Sequence, residues 1–214
     1  MNKIIQRLQH LSQRSQTGLM THIVIGYPSL DENIRVVQAM AEAGVDLIEL
    51  QMPFSDPVAD GPTMMRANQI ALDNGTTSQD CLDLMQELRK SVRIPLLFMG
   101  YYNLVFNYGA KRFCQKAQQA GASGLLIPDM PIDEENQEHL FSHANDNGLI
   151  NLTFVSPATT QARLQQIAKF AQGFVYCFSR YGVTGAKDEN DPQLIDYLMR
   201  VKKMIDLPLG VGFG

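Results

Sequence analysis

The sequence predicts an α/β fold of the (β/α)8-barrel class, and three observations carry that prediction. Seven short apolar runs of strand length, at 19–25, 45–50, 94–99, 124–127, 150–155, 174–178 and 207–211, alternate with helical stretches. Within each run the apolar residues are mostly consecutive, as expected of parallel strands covered on both faces. Polar residues gather at or just after the ends of successive runs: Glu49, Asp60, Asn103, Asp129, Ser156, Ser179 and Arg180. A ring of functional groups drawn from many strand ends suits the C-terminal mouth of a barrel. Strict β/α alternation also permits a doubly wound open sheet. The first strand–helix turn, IGYPSLDEN, has none of the GxGxxG spacing of a dinucleotide site, which favours the barrel.

The helices between the runs carry their own start and stop signals. The N-terminal stretch MNKIIQRLQHLSQRS places Ile4, Ile5, Leu8 and Leu11 on one face of an amphipathic helix. Ser29 and Glu32 have capping-box spacing before IRVVQAMAEA, which ends at Gly44. Pro62 opens one helix and Pro192 another, each at the favoured first position. A helix end at Gly75 is followed by a fresh start near Ser78, and Gly121 and Gly148 close two more. The order is a helix, six strand–helix units and a seventh strand. No linker or charge block interrupts it, so residues 1–214 read as one domain.

Composition narrows the function classes. The net charge of −4 lacks the basic face that sequence-independent nucleic-acid binding requires. No apolar stretch approaches the ~20 residues of a membrane span. The N-terminus lacks the continuous apolar core of a secretion signal. Three widely spaced cysteines, Cys81, Cys114 and Cys177, form no CxxC and fit reduced residues of a cytoplasmic protein. His139 and His143 stand four apart on a polar helical stretch with no third ligand evident, so no metal is expected.

The stretch LIELQMPFSDPVADGP, residues 47–62, places Glu49 inside an apolar run and Asp60 at the end of a proline-rich loop. Burying an unpaired carboxylate is costly, so Glu49 is either paired or working. Two carboxylates at one mouth suit acid–base chemistry, one giving a proton and the other stabilising positive charge. The same spacing is also met if Glu49 pairs with a buried cation and Asp60 caps the helix that Pro62 opens.

These residues carry a resemblance. IELQMPFSDPVADGP resembles the second strand and loop of the tryptophan synthase α subunit, whose pattern is E-L-G-x-P-F-S-D-P-x-A-D-G-P. Ordered matches continue through IGYPSL, YYNLVFNYG, IPDMP, SRYGVTGAK and VGFG. The resemblance implies a (β/α)8 TIM barrel that cleaves indole-3-glycerol phosphate to indole and glyceraldehyde 3-phosphate, without a cofactor in this subunit. It implies a β-subunit partner, dependent on pyridoxal phosphate, in an α2β2 tetramer. By the same resemblance Glu49 is the general acid–base and Asp60 contacts the indole N–H. Tyr101, Tyr176 and Phe98 line the indole pocket, Thr184 touches the aspartate, and Gly185, Phe213 and Gly214 serve the substrate and its phosphate. Residues 179–190 are a lid, and Asp56, Pro57, Asn103, Phe106 and Pro131 belong to the partner face.

The chain departs from that pattern in places. Gln51 stands where the family commonly has Gly, Leu104 replaces a frequent Pro, and His22 occupies a usually apolar position near the substrate ring. The expectation for His22 is a core or pocket-wall residue rather than a catalyst. A (β/α)8 domain takes roughly 250 residues and builds its phosphate site from the loops after strands 7 and 8. This chain stops at Gly214, inside the first of those loops. The expectation is therefore a barrel truncated after strand 7, with strands 1 and 7 as open edges, and a natural protein longer by about 40 to 60 residues. Two other readings are a non-catalytic barrel that activates a β subunit, and another phosphosugar isomerase or epimerase. An epimerase normally places metal-binding His and Asp at strand ends, where here only His22 lies near.

Overall fold

A computed structural model describes residues 1–179 and 192–212. The chain opens with α1 (Lys3–Gln13), then β1 (Met20–Val24), α2 (Leu30–Glu42) and β2 (Leu47–Gln51). Two helices follow, α3 (Pro62–Asp73) and α4 (Ser78–Leu88), before β3 (Leu96–Met99). Next come α5 (Tyr102–Tyr108), α6 (Ala110–Ala120), β4 (Gly124–Leu126), α7 (Glu135–Glu138) and α8 (Leu140–Asp146). The remainder is β5 (Ile150–Asn151), β6 (Thr153–Val155), α9 (Gln161–Ile167), β7 (Val175–Phe178), α10 (Pro192–Met204) and β8 (Leu209–Gly212).

Every observed strand pairing is parallel, and the order runs β1-β2-β3-β4-β5 and β6-β7-β8. Each strand therefore neighbours the next one in sequence, with no reversal. A doubly wound sheet would reverse its order at a switch point, so the topology is that of a barrel. The run at 150–155 is split in two. Leu152 N–H donates to Leu125 O of β4 at 2.9 Å, whereas Thr153 pairs with Val175 of β7. One strand thus hands over from one neighbour to the other at Leu152. Among the described residues β1 and β8 end the strand order; most of β1 and all of β8 are half-buried, whereas β2 is buried throughout.

Alternate residues of each strand face two different cores. Leu47, Leu97, Leu126, Ile150, Leu152 and Phe174 meet inside the barrel, with Ile4 of α1 at their end. Ile48, Leu50, Leu96, Phe98 and Leu125 face outward to the helix layer, against Leu84, Leu88, Phe113 and Cys114. Phe98 is therefore no pocket residue: it is fully buried 5.9 Å from the Phe113 ring. The expectation that it lines the mouth fails because position 98 shares a face with Leu96, one residue out of phase with the interior.

The N-terminal amphipathic helix forms as its pattern predicts. Asn2 caps it by accepting from Ile4 N–H at 2.8 Å, and the same amide donates to Ser123 O and Gly148 O. Arg7 donates to the buried Asp46 at 2.7 Å, and Asp46 also accepts Leu19 N–H. Helix signals at Ser29, Pro62 and Gly121 also fall where expected. The polar stretch with His139 and His143 is not one helix. His139 takes φ +54° and breaks it between α7 and α8, while buried Glu135 accepts Phe141 N–H and Ser142 N–H to start the second piece.

Candidate active site

Parallel registry builds the centre of the site. His22 of β1 lies beside Glu49 of β2, and Gln51 follows Glu49 by two residues, hence on the same face. Glu49 is only 6% exposed and Gln51 is fully buried. A carboxylate so deeply placed needs a partner, and it has one: His22 Nδ1 lies 2.9 Å from Glu49 Oε2. The other ring nitrogen, Nε2, lies 2.9 Å from Gln51 Oε1. Gln51 Nε2 in turn donates to Asp60 Oδ2 at 2.7 Å. The two carboxylates singled out by sequence are thus joined in a chain, Glu49–His22–Gln51–Asp60.

Burial alone would lower the His22 pKa, but the hydrogen bond and charge of Glu49, then Gln51 and Asp60, outweigh it and hold it above its ordinary value. His22 is bonded at both ring nitrogens, because strand registry sets it directly against Glu49.

Asp60 sits on the loop between β2 and α3, and that loop is tied down from both sides. Buried Asn68 of α3 accepts Phe54 N–H at 3.0 Å, donates to Met64 O at 2.8 Å, and reaches Asp60 Oδ2 at 3.4 Å. Tyr101, at the end of β3, accepts Ala59 N–H at 3.0 Å through its hydroxyl and stacks on Phe54 with ring centroids 5.1 Å apart. Burial raises the Tyr101 pKa, with the Asp60 and Asp129 charges adding to it. Burial, and then the Glu49 charge, raise the pKa of Tyr176 on β7. Each tyrosine thus feels one of the two carboxylates, Tyr101 that of Asp60 and Tyr176 that of Glu49. Asp129, also at the mouth, serves the backbone instead. Both its oxygens accept Tyr102 N–H, at 2.8 and 2.9 Å, which fixes the start of α5.

Thr184, Gly185, Phe213, Gly214, Arg180 and the rest of the expected lid beyond Ser179 lie outside the described residues. Of the residues expected at a partner face, Asp56, Asn103, Phe106 and Pro131 are exposed, whereas Pro57 is buried. Val58 adds an exposed apolar side chain, at 80%, close to Asp56. Among the described residues no group of three or more His, Cys, Asp or Glu side chains is placed to hold a metal ion.

Sequence reasoning misses Asn68 as a site residue. Its one readable signal is an amide within the apolar phase of a helix two turns after Pro62.

A parallel barrel with two linked carboxylates at the strand ends, flanked by tyrosines, defines an enzyme of the (β/α)8-barrel class equipped for acid–base chemistry. Comparison with known proteins narrows the class. Residues 8–214 match the family described as tryptophan synthase alpha chain. The tryptophan synthase alpha chain of Syntrophotalea carbinolica is 46% identical over 196 residues, covering 92% of this chain and 77% of the relative. A solved tryptophan synthase from Mycobacterium tuberculosis superposes with a TM-score of 0.91 at 31% identity, covering 100% of this chain and 80% of that one. The tryptophan synthase subunit alpha of Legionella pneumophila gives 0.90 at 31% identity, covering 100% and 79%. The chain belongs to the tryptophan synthase alpha chain family, a carbon–carbon lyase family of tryptophan biosynthesis.

Proposed function

We propose that this chain cleaves indole-3-glycerol phosphate to indole and glyceraldehyde 3-phosphate, with Glu49 as general acid–base and Asp60 as the stabiliser of positive charge. The observation that carries the reading is the convergence of Glu49 and Asp60 on one mouth, linked through His22 and Gln51. Cleavage requires the indole to leave with its electron pair, which an aromatic ring carbon accommodates only once protonated. Glu49 gives that proton and receives the one lost from the glycerol hydroxyl as the carbonyl forms, so no proton is consumed. Asp60, at the ring N–H, offsets the positive charge that protonation creates. Tyr101 and Tyr176 hold the ring between them. In this reading, by the family resemblance, Thr184 touches Asp60, Gly185 and Gly214 bind the phosphate, and Phe213 packs on the substrate.

The reaction asks for no cofactor in this subunit. The partner we propose is a pyridoxal-phosphate-dependent β subunit in an α2β2 assembly. It docks on the face carrying Asp56, Val58, Asn103, Phe106 and Pro131, with Pro57 setting the loop. Exposed apolar side chains at Val58 and Phe106 support that face. One barrel domain acting in the cytoplasm completes the reading; no helix among the described residues is long and apolar enough to cross a membrane.

The test is Glu49→Gln and Asp60→Asn assayed with indole-3-glycerol phosphate, with and without a β subunit. Each is expected to lower indole formation by about 10²–10⁴-fold with the fold retained. Near-normal turnover in either variant refutes the assignment.

A further inference from the structure

The hydrogen-bond chain between the two carboxylates constrains where its protons lie. Gln51 Nε2 donates to Asp60 Oδ2, because a carboxylate only accepts. That fixes the amide's orientation: reversed, it would set an oxygen against the carboxylate. Gln51 Oε1 then faces His22 Nε2 at 2.9 Å, and an amide oxygen also only accepts, so Nε2 carries a proton. The neutral ring holds one N–H, so a proton on Nε2 would leave Nδ1 as a bare lone pair. Nδ1 faces Glu49 Oε2 at 2.9 Å, and against the ionised carboxylate two lone pairs cannot bond. The ring is left with acceptors on both nitrogens.

We propose that His22 is a positioning residue: an imidazolium clamp between Glu49 and the Gln51–Asp60 pair that fixes which Glu49 oxygen is held and which is free for substrate. This deepens the proposed function and rests on it for the roles of Glu49 and Asp60. The titratable groups facing the clamp are Glu49 from β2, Asp60 from the loop after it, and Tyr176 from β7 beside Glu49. Tyr101 from the end of β3 accepts Ala59 N–H next to Asp60 and feels the Asp60 charge. Two carboxylates against two neutral phenols favour the charged ring, in keeping with the raised His22 pKa.

The direction with pH follows. A group whose pKa is raised by folding contributes its stabilisation in full below the unfolded value, about 6.5 for His, and loses it as pH rises through the folded value. Above that point Nδ1 no longer donates, Glu49 loses its fixed rotamer, and the link to Asp60 slackens. Activity should fall there.

The experiment is nitrogen NMR of the full chain labelled at histidine, with His22→Phe used to assign the resonance, alongside kcat/KM for indole-3-glycerol phosphate across pH. In the unsubstituted protein both His22 nitrogens are expected to be protonated at pH 7, with a midpoint above 6.5. Gln51→Leu keeps the Glu49 bond but removes the link to Asp60, and should lower that midpoint. His22→Phe should lower kcat/KM by about 10²-fold, the scale of a misplaced catalytic group, and abolish the fall in activity tied to the His22 midpoint. A singly protonated His22 at pH 7 overturns the clamp, as does a midpoint unmoved by Gln51→Leu. If His22→Phe fails to fold, those two NMR results still decide. If the unsubstituted protein cleaves no indole-3-glycerol phosphate, the functional reading falls while the NMR outcome still settles the clamp.

Discussion

Asn68→Ala tests how the loop bearing Asp60 is held. Asn68 is fully buried and makes three contacts of unequal weight. Its bond to Met64 O is dispensable, since a helix carbonyl already has a backbone donor. Its contact with Asp60 is long at 3.4 Å, and Asp60 keeps Gln51 at 2.7 Å. The loss therefore centres on Phe54 N–H, which has its acceptor at 3.0 Å in Asn68 Oδ1. A partly buried backbone donor left unpaired costs about 1–3 kcal/mol. Taking about 2 kcal/mol, and 2–4 °C per kcal/mol for a chain of this size, Tm should fall by about 4–8 °C. Because Phe54 also stacks on Tyr101, which holds Ala59, the loop should loosen as a unit. Indole formation should then drop by about tenfold, less than in Asp60→Asn, since Asp60 itself remains. Thermal unfolding followed by circular dichroism reads the first quantity and a steady-state assay the second. A Tm within a degree of the parent, together with unchanged turnover, would show that Asn68 does not hold the loop.

Phe98→Ala should cost about 3–5 kcal/mol of stability, as for other buried aromatic truncations, yet leave KM for indole-3-glycerol phosphate unchanged at a temperature where the variant is folded. A raised KM would put Phe98 back in the pocket. Val58→Ser and Phe106→Ser, which alter exposed side chains, should each weaken β-subunit binding in titration calorimetry with Tm within about 1 °C of the parent, surface changes being worth ±0.5 kcal/mol. Unchanged affinity in both would move the docking face elsewhere.

Most of the strand positions are legible because both faces of a barrel strand are buried, which writes an unbroken apolar run. The run 45–50 corresponds to β2 and the run 124–127 to β4, with shifts of one or two residues. What such a run hides is phase. When every residue is apolar, nothing in the sequence says which face is inside, so Phe98 reads as a mouth residue although it packs on Phe113. The pair Glu49 and Asp60 is legible because carboxylates stand out against apolar and proline-rich surroundings. The bridge between them is not, since it depends on registry between β1 and β2, and a parallel pair separated by a helix carries no local turn to announce its register. The break at His139 is equally unreadable, because it rests on Glu135 reaching forward to cap α8.

The way α1 closes the floor of the barrel has a consequence for the order in which the chain can assemble during synthesis. Ile4 packs with Leu47, Leu97, Ile150 and Phe174, and Asn2 bonds to Gly148 across 146 residues. Helix α1, made before every strand it packs against, is thus among the last elements to find its place, because its seat is completed only when residue 174 has emerged. At about 5–20 residues per second, its apolar stripe waits for roughly ten seconds or more with nothing of its own to cover it. Early strands pair with their immediate successors and can settle as they appear, whereas α1 docks in a late, long-range step. A substitution such as Ile4→Asp would then leave early strand pairing intact and act on the final closure, so its signature belongs in the slowest phase of refolding.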